Sequence, residues 1–319
     1  MPKVVFLTHL APDTAALLTS QAPADYMVTT APVKLPPNEE AALVKDADFV
    51  ILFPGIISGE ALRAATRLKL IQLVSAGFDT LDVGLCKELE IPVANNGGTN
   101  STDVAEHTLT LILAWYRQLG AMDRNVRTDA WSAIDSGATT YTINGKTVGL
   151  VGLGNIGRKV ARLLRAFGAK VLYTDAMPVP TEVEEELGVT RVSMDELLFQ
   201  SDVVSLHTPL NNQTRGLMGA AQFAMMKPTA LLVNTCRGPV VDEAALIQAL
   251  QSKQIAGAAL DVLAQEPPAP DNPLLTMENV LLTPHIAGVT RDTWARRGAF
   301  IFANLQRVWQ GEAPQAVIA

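Results

Sequence analysis

The sequence predicts an α/β protein with two doubly wound parallel sheets, and three observations support this fold class. Short β-branched or apolar runs alternate with helical patterns along the whole chain, which is typical of parallel βαβ units. The length of 319 residues, 48% of them hydrophobic, is enough for two domains that each have a core. A glycine-rich turn between a predicted strand and a predicted helix lies near the middle of the chain and marks the second sheet.

The first 98 residues predict a small α/β domain. Two segments, ALVKDA and EALRAATR, carry charges on one side and predict helices. Strands that alternate with such helices form a parallel sheet, so residues 1–98 predict a flavodoxin-like domain. The predicted strands are KVVFL at 3–7, DFVILF at 48–53, LKLIQLV at 68–74 and IPVAN at 91–95.

A second domain is predicted over residues 99–289. It opens with a long apolar-periodic helix over residues 101–120, which begins with Ser and Thr and closes at a glycine. Because this helix is apolar on most sides, we expect it to be buried between domains or subunits. One more helix follows the completed second domain, so we expect residues 290–319 to pack back onto the first. Further strands are predicted at 202–208, 230–235, 257–262 and 279–284.

Composition and charge exclude several classes of partner. The formal net charge of −7 argues against broad attraction to nucleic acid or to an anionic membrane. The start MPKVVFLTHLAP becomes polar too early for a secretory signal, and no apolar run approaches the roughly 20 residues that span a bilayer. We therefore expect a cytoplasmic protein. Cys86 and Cys236 lack the spacing of metal ligands, which predicts reduced thiols and no metal site.

The glycine-rich turn predicts a dinucleotide site. Gly152, Gly154 and Gly157 form GxGxxG between the run TVGLV and an amphipathic helix. These glycines permit a tight turn, close approach of a pyrophosphate and close packing of helix on strand, while the helix N-terminus attracts the phosphates. Asp175 closes the next strand, where an acid binds the adenosine ribose. The segment predicts a Rossmann-type domain that prefers NADH to NADPH, because an anion repels the additional phosphate.

Three further residues match the demands of hydride transfer to a keto acid. That reaction needs a cation for the substrate carboxylate, a proton donor for the developing alkoxide and a group that orients the donor. Arg237, Glu266 and His285 each follow a predicted strand of the second domain. Arginine pairs with carboxylates in bidentate fashion, histidine exchanges protons near neutrality, and a carboxylate beside an imidazole favours its charged form.

Five segments together resemble the D-isomer-specific 2-hydroxyacid dehydrogenase family. In that family the arginine holds the substrate, the histidine is the acid/base and the glutamate orients it, which implies these roles for Arg237, His285 and Glu266. The resemblance also implies that a coenzyme domain is inserted in the substrate domain and that dimers form largely through the coenzyme domain. The segments, in order, are GLGNIGRKVARLLRAFGAKVLYTD, LHTPLNNQTRGLMG, LLVNTCRGPVVDEAAL, AALDVLAQEPP and TPHIAGVT.

The resemblance extends the predicted binding sites. Asp261 is similar to the family's acid near the nicotinamide carboxamide. The loop SAGFD implies that Ser75, Ala76 and Gly77 receive the substrate carboxylate. For His207, cofactor lining and a structural role are equally open. The remaining cofactor contacts implied by the family segments are Asn155, Ile156, Thr208, Pro209, Cys236 and Gly288.

Departures from the family pattern bear on the substrate. Leu263 and Ala264 stand where the family often has an aromatic residue and an acid. The loop PGIIS lacks the basic residue that phosphoglycerate-using members place there, and the chain ends soon after residue 310, without a regulatory extension. We therefore expect a small unphosphorylated acid such as glyoxylate, hydroxypyruvate or a pyruvate-like compound. Two alternatives remain, an NAD-sensing corepressor-like binding protein and a formate or phosphite dehydrogenase on the same scaffold.

Overall fold

The computed structural model describes residues 1–131 and 134–319, which fall into two compact units. The first unit comprises Met1–Asn100 and Val289–Ala319, and the second comprises Ser101–Gly288. None of the helices in the described ranges is both long enough and apolar enough to cross a bilayer.

The first unit is built on a parallel sheet that contains, within the described residues, five strands in the order β2-β1-β3-β4-β5. Buried aliphatic and aromatic side chains form a core on each face of this sheet. The strands are β1 (Lys3–Thr8), β2 (Met27–Pro32), β3 (Phe49–Phe53), β4 (Leu70–Leu73) and β5 (Val93–Ala94). The helices are α1 (Pro12–Thr19), α2 (Pro37–Val44), α3 (Gly59–Ala64) and α4 (Val83–Glu88).

The end of the chain completes this first unit. Helix α12 (Arg291–Trp309) packs against α1, and its buried Asn304 side chain donates a hydrogen bond to Gln72 Oε1 on β4 at 2.7 Å. Val317 forms an antiparallel bridge with Ala94, at the end of β5. The C-terminal helix therefore lies on the sheet that the N-terminal residues form.

The second unit contains a parallel sheet of seven strands in the described residues, in the order β12-β11-β10-β9-β6-β7-β8. The order reverses between β6 and β9, which is the point at which open α/β sheets bind ligands. The strands are β6 (Thr147–Val151), β7 (Lys170–Thr174), β8 (Val189–Arg191), β9 (Val203–Leu206), β10 (Leu231–Asn234), β11 (Gly257–Leu260) and β12 (Val280–Leu282). The helices are α5 (Ser101–Tyr116), α6 (Leu119–Arg127), α7 (Asn155–Ala166), α8 (Thr181–Leu187), α9 (Met194–Gln200), α10 (Ala220–Met225) and α11 (Glu243–Gln251).

The two parallel sheets confirm the predicted fold class, but three elements differ from the prediction. The helix expected over 101–120 ends at Tyr116, because Gln118 adopts a left-handed conformation with φ of 49° and α6 begins at Leu119. Strands β2 and β8 were not predicted. Both lie at an edge of their sheet and are largely exposed, so their sequences lack a clear apolar alternation.

Candidate active site

The glycine-rich turn joins β6 to α7. Gly152 has φ of 101°, and a Cβ there would lie 2.6 Å from the carbonyl oxygen of His207, so a side chain is excluded on both grounds. Gly154 is the N-cap of α7 and offers no side-chain cap, and a Cβ there would meet nothing within 4 Å. Gly157 lies in the first turn of α7, against the carbonyl group of Gly152. The N-terminus of this helix therefore opens on free space, together with Asn155 and Ile156, its first two residues.

Asp175 immediately follows β7 and is tied to this turn. Its carboxylate accepts hydrogen bonds from the amide of Leu153 at 2.6 Å and from the amide of Met177 at 2.8 Å. The guanidinium group of Arg191, at the end of β8, donates to the carbonyl oxygen of Asp175 at 2.9 Å. An acid and an arginine thus stand together at the end of the second strand of the nucleotide-binding unit.

The loops after β9 and β10 contain further predicted cofactor residues. His207 Nε2 lies 3.0 Å from the Ser205 hydroxyl, whereas its buried Nδ1 has no hydrogen-bond partner among the described residues. Burial lowers the pKa of His207 to about 4, so the ring is neutral at physiological pH. Burial also raises the pKa of the Cys236 thiol, which therefore remains protonated. Thr208 and Pro209 follow His207, in the loop that packs against Gly152.

This part of the second unit fits a bound NAD. The open helix N-terminus suits a pyrophosphate, the carboxylate of Asp175 suits a ribose diol, and the unpartnered Nδ1 of His207 is a polar atom that a ligand can satisfy. In the described residues, no group of three or more His, Cys, Asp or Glu side chains could hold a metal ion.

His285 and Glu266 form a hydrogen-bonded pair. His285 Nδ1 lies 2.7 Å from Glu266 Oε2, and the two side chains are 48% and 38% exposed. The other oxygen of Glu266 accepts from the amide of Leu263 at 3.1 Å. Partial burial acts to raise the pKa of Glu266, but the His285 hydrogen bond and charge, the Leu263 amide and the Arg237 charge outweigh it and lower that pKa. Glu266 is therefore ionised between two basic groups.

Arg237 lies in the loop after β10, and its neighbour Gly238 brings this loop against the Glu266 loop. Arg237 Nη1 donates to the carbonyl oxygen of Cys236 at 2.7 Å, and the Asn234 side chain donates to the carbonyl oxygen of Arg237 at 3.0 Å. A Cβ on Gly238 would overlap the carbonyl group of Leu263. The two loops are thus in backbone contact, which explains why the charge of Arg237 reaches Glu266.

Asp261 is fully buried and organises the turn that carries His285. Its carboxylate accepts hydrogen bonds from the Thr283 hydroxyl at 2.6 Å, the Ile286 amide at 2.9 Å and the Ala287 amide at 2.8 Å. The amide of His285 donates to the carbonyl oxygen of Asp261 at 2.8 Å. Within this unit the carboxylate is therefore engaged by protein groups, and Gly288 follows at the end of the same turn.

Sequence reasoning missed two contacts that α5 makes with these strands. His107 Nε2 lies 3.1 Å from the Thr283 hydroxyl and 3.6 Å from Asp261 Oδ1. The buried hydroxyl groups of Thr108 and Thr235 are 3.0 Å apart. The one signal available was that polar residues interrupt an otherwise apolar helix, and that pattern alone does not identify partners more than a hundred residues away.

The predicted substrate loop lies in the first unit, directly after β4. The Ser75 hydroxyl donates to the carbonyl oxygen of Gly77 at 2.7 Å, and the Asn95 side chain donates to that of Ala76 at 3.0 Å. The carbonyl groups of the loop are therefore already occupied by neighbouring side chains.

Comparison with known proteins agrees with this nucleotide-binding dehydrogenase architecture. The family model described as D-isomer specific 2-hydroxyacid dehydrogenase, NAD binding domain, matches residues 109–287. A glyoxylate reductase from Aeropyrum pernix is 36% identical over 325 residues, which cover 99% of this chain and 96% of that protein. The chain therefore belongs to the D-isomer specific 2-hydroxyacid dehydrogenase family, and its reaction class is NAD-dependent oxidoreduction of 2-hydroxy acids.

Two further proteins show the breadth of the similarity. A D-3-phosphoglycerate dehydrogenase from Archaeoglobus fulgidus is 39% identical over 255 residues, which cover 80% of this chain but 48% of that protein. The solved structure of the NAD-complexed form of a D-isomer specific 2-hydroxyacid dehydrogenase from Lactobacillus delbrueckii ssp. bulgaricus superposes with a TM-score of 0.84. It is 28% identical, and the match covers 99% of this chain and 100% of that one.

Proposed function

We propose that this protein interconverts a small, unphosphorylated 2-keto acid and its D-2-hydroxy acid, with glyoxylate, hydroxypyruvate and pyruvate-like compounds as substrates. The observation that carries the proposal is the hydrogen bond between His285 and Glu266, which forms beside the charge of Arg237. A cation, an acid/base and an orienting carboxylate together meet the three demands of keto-acid reduction.

Each of the three side chains has a distinct task in this proposal. NADH, when bound, would supply the hydride for C2 of the keto acid. Arg237 pairs with the substrate carboxylate, because its guanidinium group offers a planar fork of donors. Glu266 holds Nδ1 of His285 at 2.7 Å, which leaves Nε2 as the atom that gives a proton to the substrate oxygen and takes it back in the reverse direction.

The preference for NADH over NADPH rests on Asp175. Its carboxylate is already oriented by the amides of Leu153 and Met177, so a 2′-phosphate would approach a fixed negative charge. Arg191 donates to the backbone carbonyl oxygen of the same residue, whereas the carboxylate accepts the two amides. The other contacts that we assign to NAD lie in the loops after β9 and β10.

The preference for an unphosphorylated substrate rests on the first unit. The loop after β3 reads Pro54-Gly-Ile-Ile-Ser and carries no basic side chain that could neutralise a phosphate. Ser75, Ala76 and Gly77 form the neighbouring loop, and we assign its backbone amides to the substrate carboxylate. The similarity to a glyoxylate reductase over nearly the whole chain supports a small substituent on C2.

A homodimer formed by the second unit belongs to the same proposal. Helix α6 has no buried residue, and several large apolar side chains along the segment that contains it are exposed, which marks an interaction surface. These side chains are Leu119, Val126, Trp131 and Ile134. The cytoplasmic location and the lack of nucleic-acid or membrane partners stay predictions from the sequence.

The assignment is tested by NADH oxidation with glyoxylate, hydroxypyruvate and pyruvate. We expect His285→Ala and Arg237→Ala to lower kcat/KM by about a hundredfold or more, because each removes a group that acts on the reacting substrate. Arg215→Ala removes an exposed arginine of the same unit and serves as the control for loss of charge. Turnover that survives both active-site changes within about tenfold, or tight NADH binding without turnover of any keto acid, contradicts the proposal.

A further inference from the structure

We propose that His107 is a positioning residue, which acts through Thr283 and Asp261 to hold the catalytic turn at His285. This inference rests on the proposed function, because it assigns His285 as the acid/base. His107 lies on α5, its side chain is 18% exposed, and it has no contact with Glu266 or Arg237 in the described hydrogen bonds and ion pairs. Its influence on the reaction is therefore indirect.

The hydrogen bonds among His107, Thr283 and Asp261 have a defined direction. Thr283 donates its single hydroxyl proton to Asp261 Oδ1 at 2.6 Å. The oxygen of Thr283 can then only accept from His107 Nε2, which lies 3.1 Å away. His107 therefore carries a proton on Nε2, and the three side chains form one directed chain that ends at a buried carboxylate.

The buried carboxylate of Asp261 in turn anchors the turn that contains His285. Asp261 accepts the amides of Ile286 and Ala287, and its carbonyl oxygen accepts the amide of His285. His285 has φ of 55°, a left-handed conformation that residues other than glycine rarely adopt and that persists only where the surroundings hold it. The network thus maintains the backbone conformation that directs Nδ1 of His285 to Glu266.

The orientation of the Thr283 hydroxyl depends on the donor on α5. Asp261 is buried, and a buried carboxylate requires its lone pairs to be satisfied. His107 Nε2 lies 3.1 Å from the Thr283 hydroxyl oxygen and 3.6 Å from Asp261 Oδ1, so its donation to that oxygen leaves the hydroxyl proton directed at the carboxylate. If the donor is removed, the hydroxyl can rotate away and the turn loses part of its anchor.

The experiment compares two pairs of variants with a control on the same helix. His107→Leu and Thr283→Val remove the polar group, whereas His107→Gln and Thr283→Ser retain a donor or a hydroxyl at a similar reach. Trp115→Phe is the control, because it removes a different hydrogen bond between α5 and the residue before β12, from Trp115 Nε1 to the Asn279 carbonyl oxygen at 3.2 Å. Measurements are kcat, KM and the Kd for NADH.

A second readout does not depend on turnover. Labelling the four histidines with 15N allows the hydrogen-bonded Nδ1 proton of His285 to be observed by NMR. The signal is assigned by its loss in the variant His285→Gln. If the wild type turns over no keto acid, the proposed function fails while this signal still decides the role of His107.

We expect His107→Leu and Thr283→Val to lower kcat about tenfold, with the Kd for NADH unchanged within about twofold, because displacing a catalytic group by a fraction of an ångström is costly. The NMR signal should broaden in both variants. His107→Gln, Thr283→Ser and Trp115→Phe should stay within about threefold of wild type. Three results would each overturn the inference. The first is wild-type kcat and NMR signal in His107→Leu. The others are defects in His107→Gln and Trp115→Phe as large as that in His107→Leu, and a change confined to the Kd for NADH.

Discussion

Replacing Gly238 by alanine tests whether close contact between two loops holds the active site together. Gly238 is buried, and a Cβ there would overlap the Leu263 carbonyl group and lie 2.6 Å from the Ala264 nitrogen. Ordinary contact begins near 3.4 Å, so the distance to the nitrogen alone requires a separation of about 0.8 Å. Both neighbours are backbone atoms, which cannot move aside without moving their loops. These loops carry Arg237 and Glu266.

From these distances we expect two effects of Gly238→Ala. Overpacking should lower the free energy of unfolding by about 1–3 kcal/mol. A displacement of nearly 1 Å between Arg237 and Glu266 should lower kcat/KM by about a hundredfold. Steady-state reduction of a keto acid and urea unfolding measure the two quantities. Gly137→Ala is the control, since a Cβ there would meet nothing within 4 Å. If Gly238→Ala retains kcat/KM and stability close to those of Gly137→Ala, the reasoning is refuted.

Three further predictions concern charge and surface. The pKa of Glu266 is lowered from 4.5, so its pairing with His285 stabilises the fold fully above that value and less as pH falls through the lowered pKa. Urea unfolding as a function of pH should therefore show a loss of stability in acid for the wild type that Glu266→Gln lacks. Asp175→Ala should raise kcat/KM with NADPH relative to NADH by about tenfold or more, and an unchanged ratio in steady-state assays would exclude Asp175 as the discriminating group. Exchanging Trp131 and Ile134 for serine should shift sedimentation towards monomer, whereas an unaltered profile would place the interface elsewhere.

Local chain geometry sets two of the parts of the site that the sequence predicted. The glycine-rich turn and Asp175 are identifiable because a strand, a tight turn and a helix N-terminus each impose a residue type at a fixed spacing. The contacts of Gly238 with Leu263 and of His107 with Thr283 were not predictable, because each joins segments that only the folded sheet brings together. Strands β2 and β8 were missed for a different reason. They lie at the edges of their sheets and therefore lack the apolar pattern that reveals inner strands.

Sheet topology explains why Glu266 stands between the two basic groups. Strands β10, β11 and β12 are adjacent and parallel, with Asn234 paired to Leu260 and Leu260 paired to Leu282. Adjacent strands lie about 4.8 Å apart, so the three loops that follow emerge within roughly 10 Å of one another. Arg237 follows the first strand, Glu266 the middle one and His285 the last.

The carboxylate on the middle loop therefore faces both cations, and both contribute to lowering the pKa of Glu266. Under the proposed function, an anionic substrate that pairs with Arg237 leaves Glu266 to interact mainly with His285. The order of the three strands thus places one carboxylate between two basic groups, a consequence of topology that the residue types alone do not determine.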